Sequence, residues 1–267
     1  MTTVSTVHGL ENRHKPPTGV LWPLFMGWIR VPLILAGAGI VLLVYRRAGS
    51  SAGTAASVAW SPFVVNVVNL LCLGLLVWRA RVEGFRLADM IGLRRSSALR
   101  DLGWGLLWSL LLYVMFALGL MTVVLAVGAA RGVLGSQWFI DVFVGSGDYA
   151  TLSLPLWFLA GNGLLFPLLN PVVEELQYRG YAQTRLIAVS GNVALSIALV
   201  SVPFAVQHTV FAASPVGAVA FVVAFLLWSA SAGVIVWRQG RLAPVIVAHA
   251  ITNVATAAAP IVGVVLR

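Results

Sequence analysis

Residues 156–186 read LWFLAGNGLLFPLLNPVVEELQYRGYAQTRL, an apolar run that meets two adjacent glutamates, Glu174 and Glu175, with Arg179 one helical turn beyond. The 267-residue chain holds only eight acidic side chains. Burying a carboxylate at bilayer depth costs several kcal/mol, so two together mark a site rather than a boundary. The run is apolar on every face, unlike the amphipathic helices and short strands of a soluble domain. Similar runs of about 20 residues, enough to cross hydrocarbon as helix, recur along the chain. With 60% hydrophobic and 9% charged residues and a mean hydropathy of +0.96, this is an all-α polytopic membrane protein.

Working outward, apolar spans fall near Trp22–Tyr45, Val58–Trp78, Leu102–Ala130, Leu156–Leu186, Val193–Ala213, Val216–Trp237 and Leu242–Leu266. A bundle of about seven transmembrane helices is expected, forming one domain over 22–267 with its catalytic core at about 156–266. No internal repeat divides it. Residues 136–143, SQWFIDVF, suit a short interfacial helix. Residues 1–21 form a polar tail whose Pro16 and Pro17 make a poor leader for a cleavable signal.

The net charge of +9 comes from arginines between the spans, the pattern of an orientation signal and not of a nucleic-acid surface. Twelve Arg and Lys residues share the N-terminal side, Arg179 and Arg185 among them, against Arg46, Arg47, Arg131 and Arg267 opposite. The N-terminus is therefore expected in the cytoplasm. The arginine-rich linker 79–101 reads as the same topogenic charge. One lysine against sixteen arginines is the composition of a GC-rich bacterial genome, so a bacterial plasma membrane is expected. The lone Cys72 provides neither an internal disulfide nor a cysteine zinc cluster.

Three polar clusters sit inside spans: Glu174, Glu175 and Arg179; Phe204 and His208 in FAVQH; His249 and Asn253 in HAITN. Each contains a pair spaced i to i+4, so each helix presents one polar stripe, which must face other helices or a wet cavity. His249 lies seven residues past Leu242, about 10 Å along a helix, and the glutamates reach that depth only if their helix continues to Ala182 or Leu186. Arg179 and Arg185 would then extend to the headgroups. His208 matches that depth only if Pro203 bends or tilts its helix. Asn66, Asn69, Asn162 and Asn170 read as packing groups without an ionisable partner.

A carboxylate and an imidazole around a water form a hydrolytic site, with Glu174 as general base and His208 orienting the water. His249 and Asn253 suit hydrogen bonding to an oxyanion. Glu175 reads as the ion-pair partner of Arg179. Two carboxylates and two imidazoles could also hold a divalent metal such as zinc, although HExxH spacing is absent. No cofactor is assigned. A proton-coupled transporter also uses buried Glu and His, but repeat symmetry is missing. A silent membrane partner, such as an immunity protein, is the third alternative.

EELQYRG, FAVQH and HAITN resemble the EExxxR, FxxxH and HxxxN motifs of the CPBP family of intramembrane endopeptidases, which includes CAAX prenyl and bacteriocin-processing proteases. All three occur in family order within about residues 160–257. The resemblance implies a multi-helix protease with a cavity open to the cytoplasm and a peptide or protein substrate at the membrane. It makes Glu174 and His208 the water-activating pair, His249 and Asn253 the oxyanion site, and Glu175, Arg179 and Phe204 supporting residues. Gln177 and Tyr178 replace the apolar residues many members carry there.

Overall fold

A computed structural model describes residues 19–51, 53–92, 95–143 and 154–265. Most of the expected tail, and the last two residues of the chain, lie outside the described residues. The elements are α1 (Leu21–Trp28), α2 (Arg30–Arg47), α3 (Gly53–Glu83), α4 (Leu87–Ile91), α5 (Ala98–Arg131), α6 (Ser136–Phe143), α7 (Leu156–Glu175), α8 (Thr184–Ser190), α9 (Val193–Gln207), α10 (Pro215–Gln239) and α11 (Ala243–Val265). A π-helical segment, Leu176–Gln183, joins α7 to α8, and a 3-10 turn, His208–Phe211, follows α9. Among the described residues there is no strand.

Among the described residues, five helical stretches are long and apolar enough to cross a membrane: Leu21–Arg47, Gly53–Glu83, Ala98–Arg131, Val193–Phe211 and Pro215–Gln239. The two other expected spans are helical as well, one carrying buried Glu174 and Glu175 and the other buried His249 and Asn253. The first stretch is interrupted at Ile29. Pro32 has no N–H to give the Trp28 carbonyl, so the helix breaks there and restarts at Arg30. From Leu156 the chain stays helical through Ser190, so the run continues past Glu175 to and beyond Leu186 as its depth required.

α5 is packed along α10 and α11, with its remaining surface lined by exposed Leu106, Leu107, Leu110 and Leu118, as a lipid-facing helix should be. Its approach to α10 is set by Gly119, where a Cβ would lie 2.7 Å from Ala224 Cα. Small residues give membrane helices such backbone contact when no water-driven force pulls them together. α6 docks on this pair: Trp138 Nε1 donates to the Val124 carbonyl at 3.0 Å, and Ser214 Oγ donates to the Val142 carbonyl at 2.8 Å.

The linker after α3 folds back on the protein. Phe85, Leu87, Met90 and Ile91 pack against Leu176 and Tyr181 of the π segment. Gly180 makes room for Met90, whose Cε would stand 2.8 Å from a Cβ there. Glu83 ties this corner together, accepting from Tyr181 Oη at 2.6 Å and Arg185 Nε at 2.9 Å and pairing with Arg79. One expectation needs correction. Arg179 does not extend to the headgroups but is fully buried, because Glu175 and Ser229 supply its partners inside the bundle.

Candidate functional site

Glu174 and Glu175 close α7 with their side chains fully or almost fully buried, and each carboxylate has its own cation. Glu174 Oε1 accepts from Arg30 Nη2 at 2.8 Å and from Gln207 Nε2 at 2.9 Å. Its Oε2 has no hydrogen-bond partner among the described residues, yet lies 3.7 Å from His249 Nε2. That distance is too long for a direct hydrogen bond.

Glu175 serves a different set. Its Oε1 accepts from Arg179 Nη1 at 3.0 Å, the expected i to i+4 pair, and lies 2.9 Å from His249 Nδ1. A carboxylate only accepts, so Nδ1 carries the proton and Nε2 is turned toward Glu174. Arg179 Nη2 donates to Ser229 Oγ at 2.7 Å, and its guanidinium lies 4.3 Å from the centre of the Phe204 ring. Phe204 in turn stacks on Trp228, at 5.2 Å and 2° between planes. The supporting residues thus form a rigid floor that holds both Glu175 and His249.

His208 opens the 3-10 turn at the end of α9, one turn past Pro203. Its Nδ1 is 2.6 Å from the Phe204 carbonyl, which again places the proton on Nδ1 and leaves Nε2 as an acceptor. The ring is clamped against Phe225, with centroids 3.6 Å apart. His208 and His249 both flank Phe204, with ring centroids 4.7 and 6.2 Å from its own. Asn253, one turn beyond His249, is 8% exposed and its Nδ2 has no partner among the described residues.

These four side chains are closed in, at 1–8% exposure, rather than spread around an open cavity. A cleft opens farther along the same helices, between Phe85, Met90, Gly180, Arg185 and Leu242. As for a metal, no three His, Cys, Asp or Glu side chains gather as a ligand set among the described residues. The donors present do not make a three-ligand zinc site.

Sequence reasoning missed Arg30 and Gln207. Arg30 lies inside the first expected span, Trp22–Tyr45, and an arginine at that depth is itself the signal. Gln207 stood inside FAVQH, beside the histidine that drew attention. Asn170 is not partnerless either, since its Oδ1 accepts from Arg30 Nη2 at 3.3 Å and Asn69 Nδ2 at 3.1 Å.

Residues 155–255 match the family model described as type II CAAX prenyl endopeptidase Rce1-like, within the CPBP group that the three motifs resemble. The matched family is one of membrane proteases, and the match covers Glu174 through Asn253 but neither Arg30 nor the first three helical stretches. Neither a curated protein nor a solved structure matches the chain.

Proposed function

With residues 155–255 in the Rce1-like pattern as the premise, we propose that this multi-pass membrane protein is an endopeptidase that hydrolyses a membrane-associated protein or peptide. It has seven spans in one domain, 22–267, with the N-terminus in the cytoplasm and the cleft beside Gly180 on the cytoplasmic side.

Glu174 Oε2 removes a proton from a water shared with the histidines, and the resulting hydroxide attacks the peptide carbonyl. His208 Nε2, unprotonated, accepts the second hydrogen of that water and orients it. The tetrahedral oxyanion accepts hydrogen bonds from Asn253 Nδ2 and from His249 Nε2. Because His249 Nδ1 already donates to Glu175, Nε2 can donate only in the imidazolium form, which shares Glu175 with Arg179 and whose charge offsets the oxyanion. Collapse of the intermediate breaks the C–N bond, and Glu174 returns its proton to the leaving amine. One water is consumed and the residues return to their starting states.

The observation that carries this reading is the unpartnered Glu174 Oε2, buried and 3.7 Å from His249 Nε2. A buried acceptor without a donor is costly unless something transient occupies it. The test is cleavage of a membrane-anchored reporter peptide by purified protein, comparing wild type with Glu174→Ala and Glu175→Ala, each with and without a chelator. The reading expects loss of cleavage in Glu174→Ala and an unchanged wild-type rate with chelator. Cleavage that survives Glu174→Ala sinks the assignment of the base. Loss of wild-type cleavage on chelation alone replaces it with metal chemistry.

A further inference from the structure

We infer that Arg30 and Gln207 are positioning residues for Glu174, clamping its Oε1 so that Oε2 alone faces the water; this rests on the hydrolytic reading of Glu174. Arg30 is completely buried and starts α2, 144 residues before the carboxylate it pairs with and outside the family-matched segment. A single guanidinium reaches three acceptors: Glu174 Oε1 and Asn170 Oδ1 through Nη2, and Gln207 Oε1 through Nε at 2.9 Å. Asn170 is held from α3 by Asn69, so the plane of Arg30 is fixed from two sides.

Gln207 is oriented by the same network. Its Oε1 receives both Arg30 Nε–H and the Tyr178 hydroxyl, the latter at 3.1 Å, so its amide cannot turn over without losing two donors. Its Nε2 must therefore point at Glu174. Both donors to the carboxylate fall on Oε1 and none on Oε2. Turning the carboxylate out of this plane would break two charge-assisted hydrogen bonds, so its free oxygen stays directed toward His249.

The residue types suit the task. Arginine stays protonated when buried and spreads its donors in a fixed fork, whereas lysine offers a point charge without that fork. A bond made only to hold α2 against the core would not need both donors on one oxygen. The first helical stretch thus completes a site whose reacting groups all lie after residue 155.

The test measures kcat, KM and the melting temperature of purified protein on the reporter peptide for Arg30→Gln, Arg30→Lys, Gln207→Leu, Glu174→Gln and the double variant Arg30→Gln/Glu174→Gln. Arg30→Gln and Gln207→Leu should lower kcat by about 10- to 100-fold, the order of cost when a reacting group is misplaced by about an ångström, with KM unchanged. Gln207→Leu keeps the ion pair and so separates positioning from folding. Arg30→Lys should recover part of kcat. The double variant should be no slower than Glu174→Gln, because both changes act through one carboxylate. Folded Arg30→Gln and Gln207→Leu proteins with wild-type kcat, full activity in Arg30→Lys, or additive losses in the double variant would each overturn the inference. If Glu174→Gln itself cleaves like wild type, the hydrolytic reading fails instead.

Discussion

Glu175→Gln should destabilise the protein by about 3–5 kcal/mol and abolish cleavage, and a second change should restore only the stability. The ion pair it breaks has both side chains at 0% exposure, so Arg179 would be left as a buried charge. The remaining contacts of that guanidinium are neutral: the Ser229 carbonyl at 3.3 Å, Ser229 Oγ at 2.7 Å, and the faces of Phe204 and Trp228. A desolvated cation over aromatic rings gains about 2 kcal/mol, which does not offset an uncompensated charge. At about 2–4 °C per kcal/mol, the melting temperature should fall by on the order of 10 °C. Adding Arg179→Met removes the charge and keeps a polarisable chain between the rings. Only the loss at Ser229 should remain, about 1–3 kcal/mol. Cleavage should stay absent, because His249 Nδ1 still lacks its anion. Melting in detergent, followed by intrinsic tryptophan fluorescence, and cleavage of the reporter peptide measure the two effects separately. A double variant as unstable as Glu175→Gln would refute the buried-pair reasoning, and one that regains activity would reduce Glu175 to a structural residue.

Phe225→Ala removes the ring stacked 3.6 Å from His208, so kcat should fall several-fold while the Phe204 carbonyl contact keeps the tautomer; steady-state kinetics check it. Gly119→Val places a Cβ within 2.7 Å of backbone in α10, and overpacking should lower stability by about 1–3 kcal/mol, read as a drop in melting temperature. In a Cys72→Ala background, an impermeant maleimide should label Arg47→Cys on intact cells and Arg238→Cys only after permeabilisation, with the reverse pattern contradicting a cytoplasmic N-terminus. Both positions are exposed, while Cys72 is buried.

Helices were legible because apolar length and polar interruptions are local signals, and the i to i+4 pairs placed Glu175 beside Arg179 without any tertiary knowledge. The continuation of the helix beyond Glu175 followed from matching depths, but the π geometry of Leu176–Gln183 had no sequence signal. Long-range partners were invisible for a physical reason. Arg30 meets Glu174, Asn170 and Gln207 across 140–177 residues, and only the break before Pro32 and the packing of α1 and α2 on the core bring them together. Arg179 was counted as a surface charge because charge counting is blind to a partner such as Ser229, fifty residues on. Glu175 was read as serving Arg179 alone, since its second partner, His249, arrives with the last helix.

The central claim, that Glu174 is the base of a peptide hydrolysis, is tested most directly by the kcat of Glu174→Gln on the reporter peptide at a temperature where the melting curves of variant and wild type both show folded protein. The amide can still accept from Arg30, but it gives up the charge that balances that buried guanidinium as well as the ability to take a proton from water, so folding and kcat are read separately. A loss of at least about 100-fold is the predicted result, the lower range for a general base. A folded Glu174→Gln protein that cleaves at the wild-type rate would contradict it.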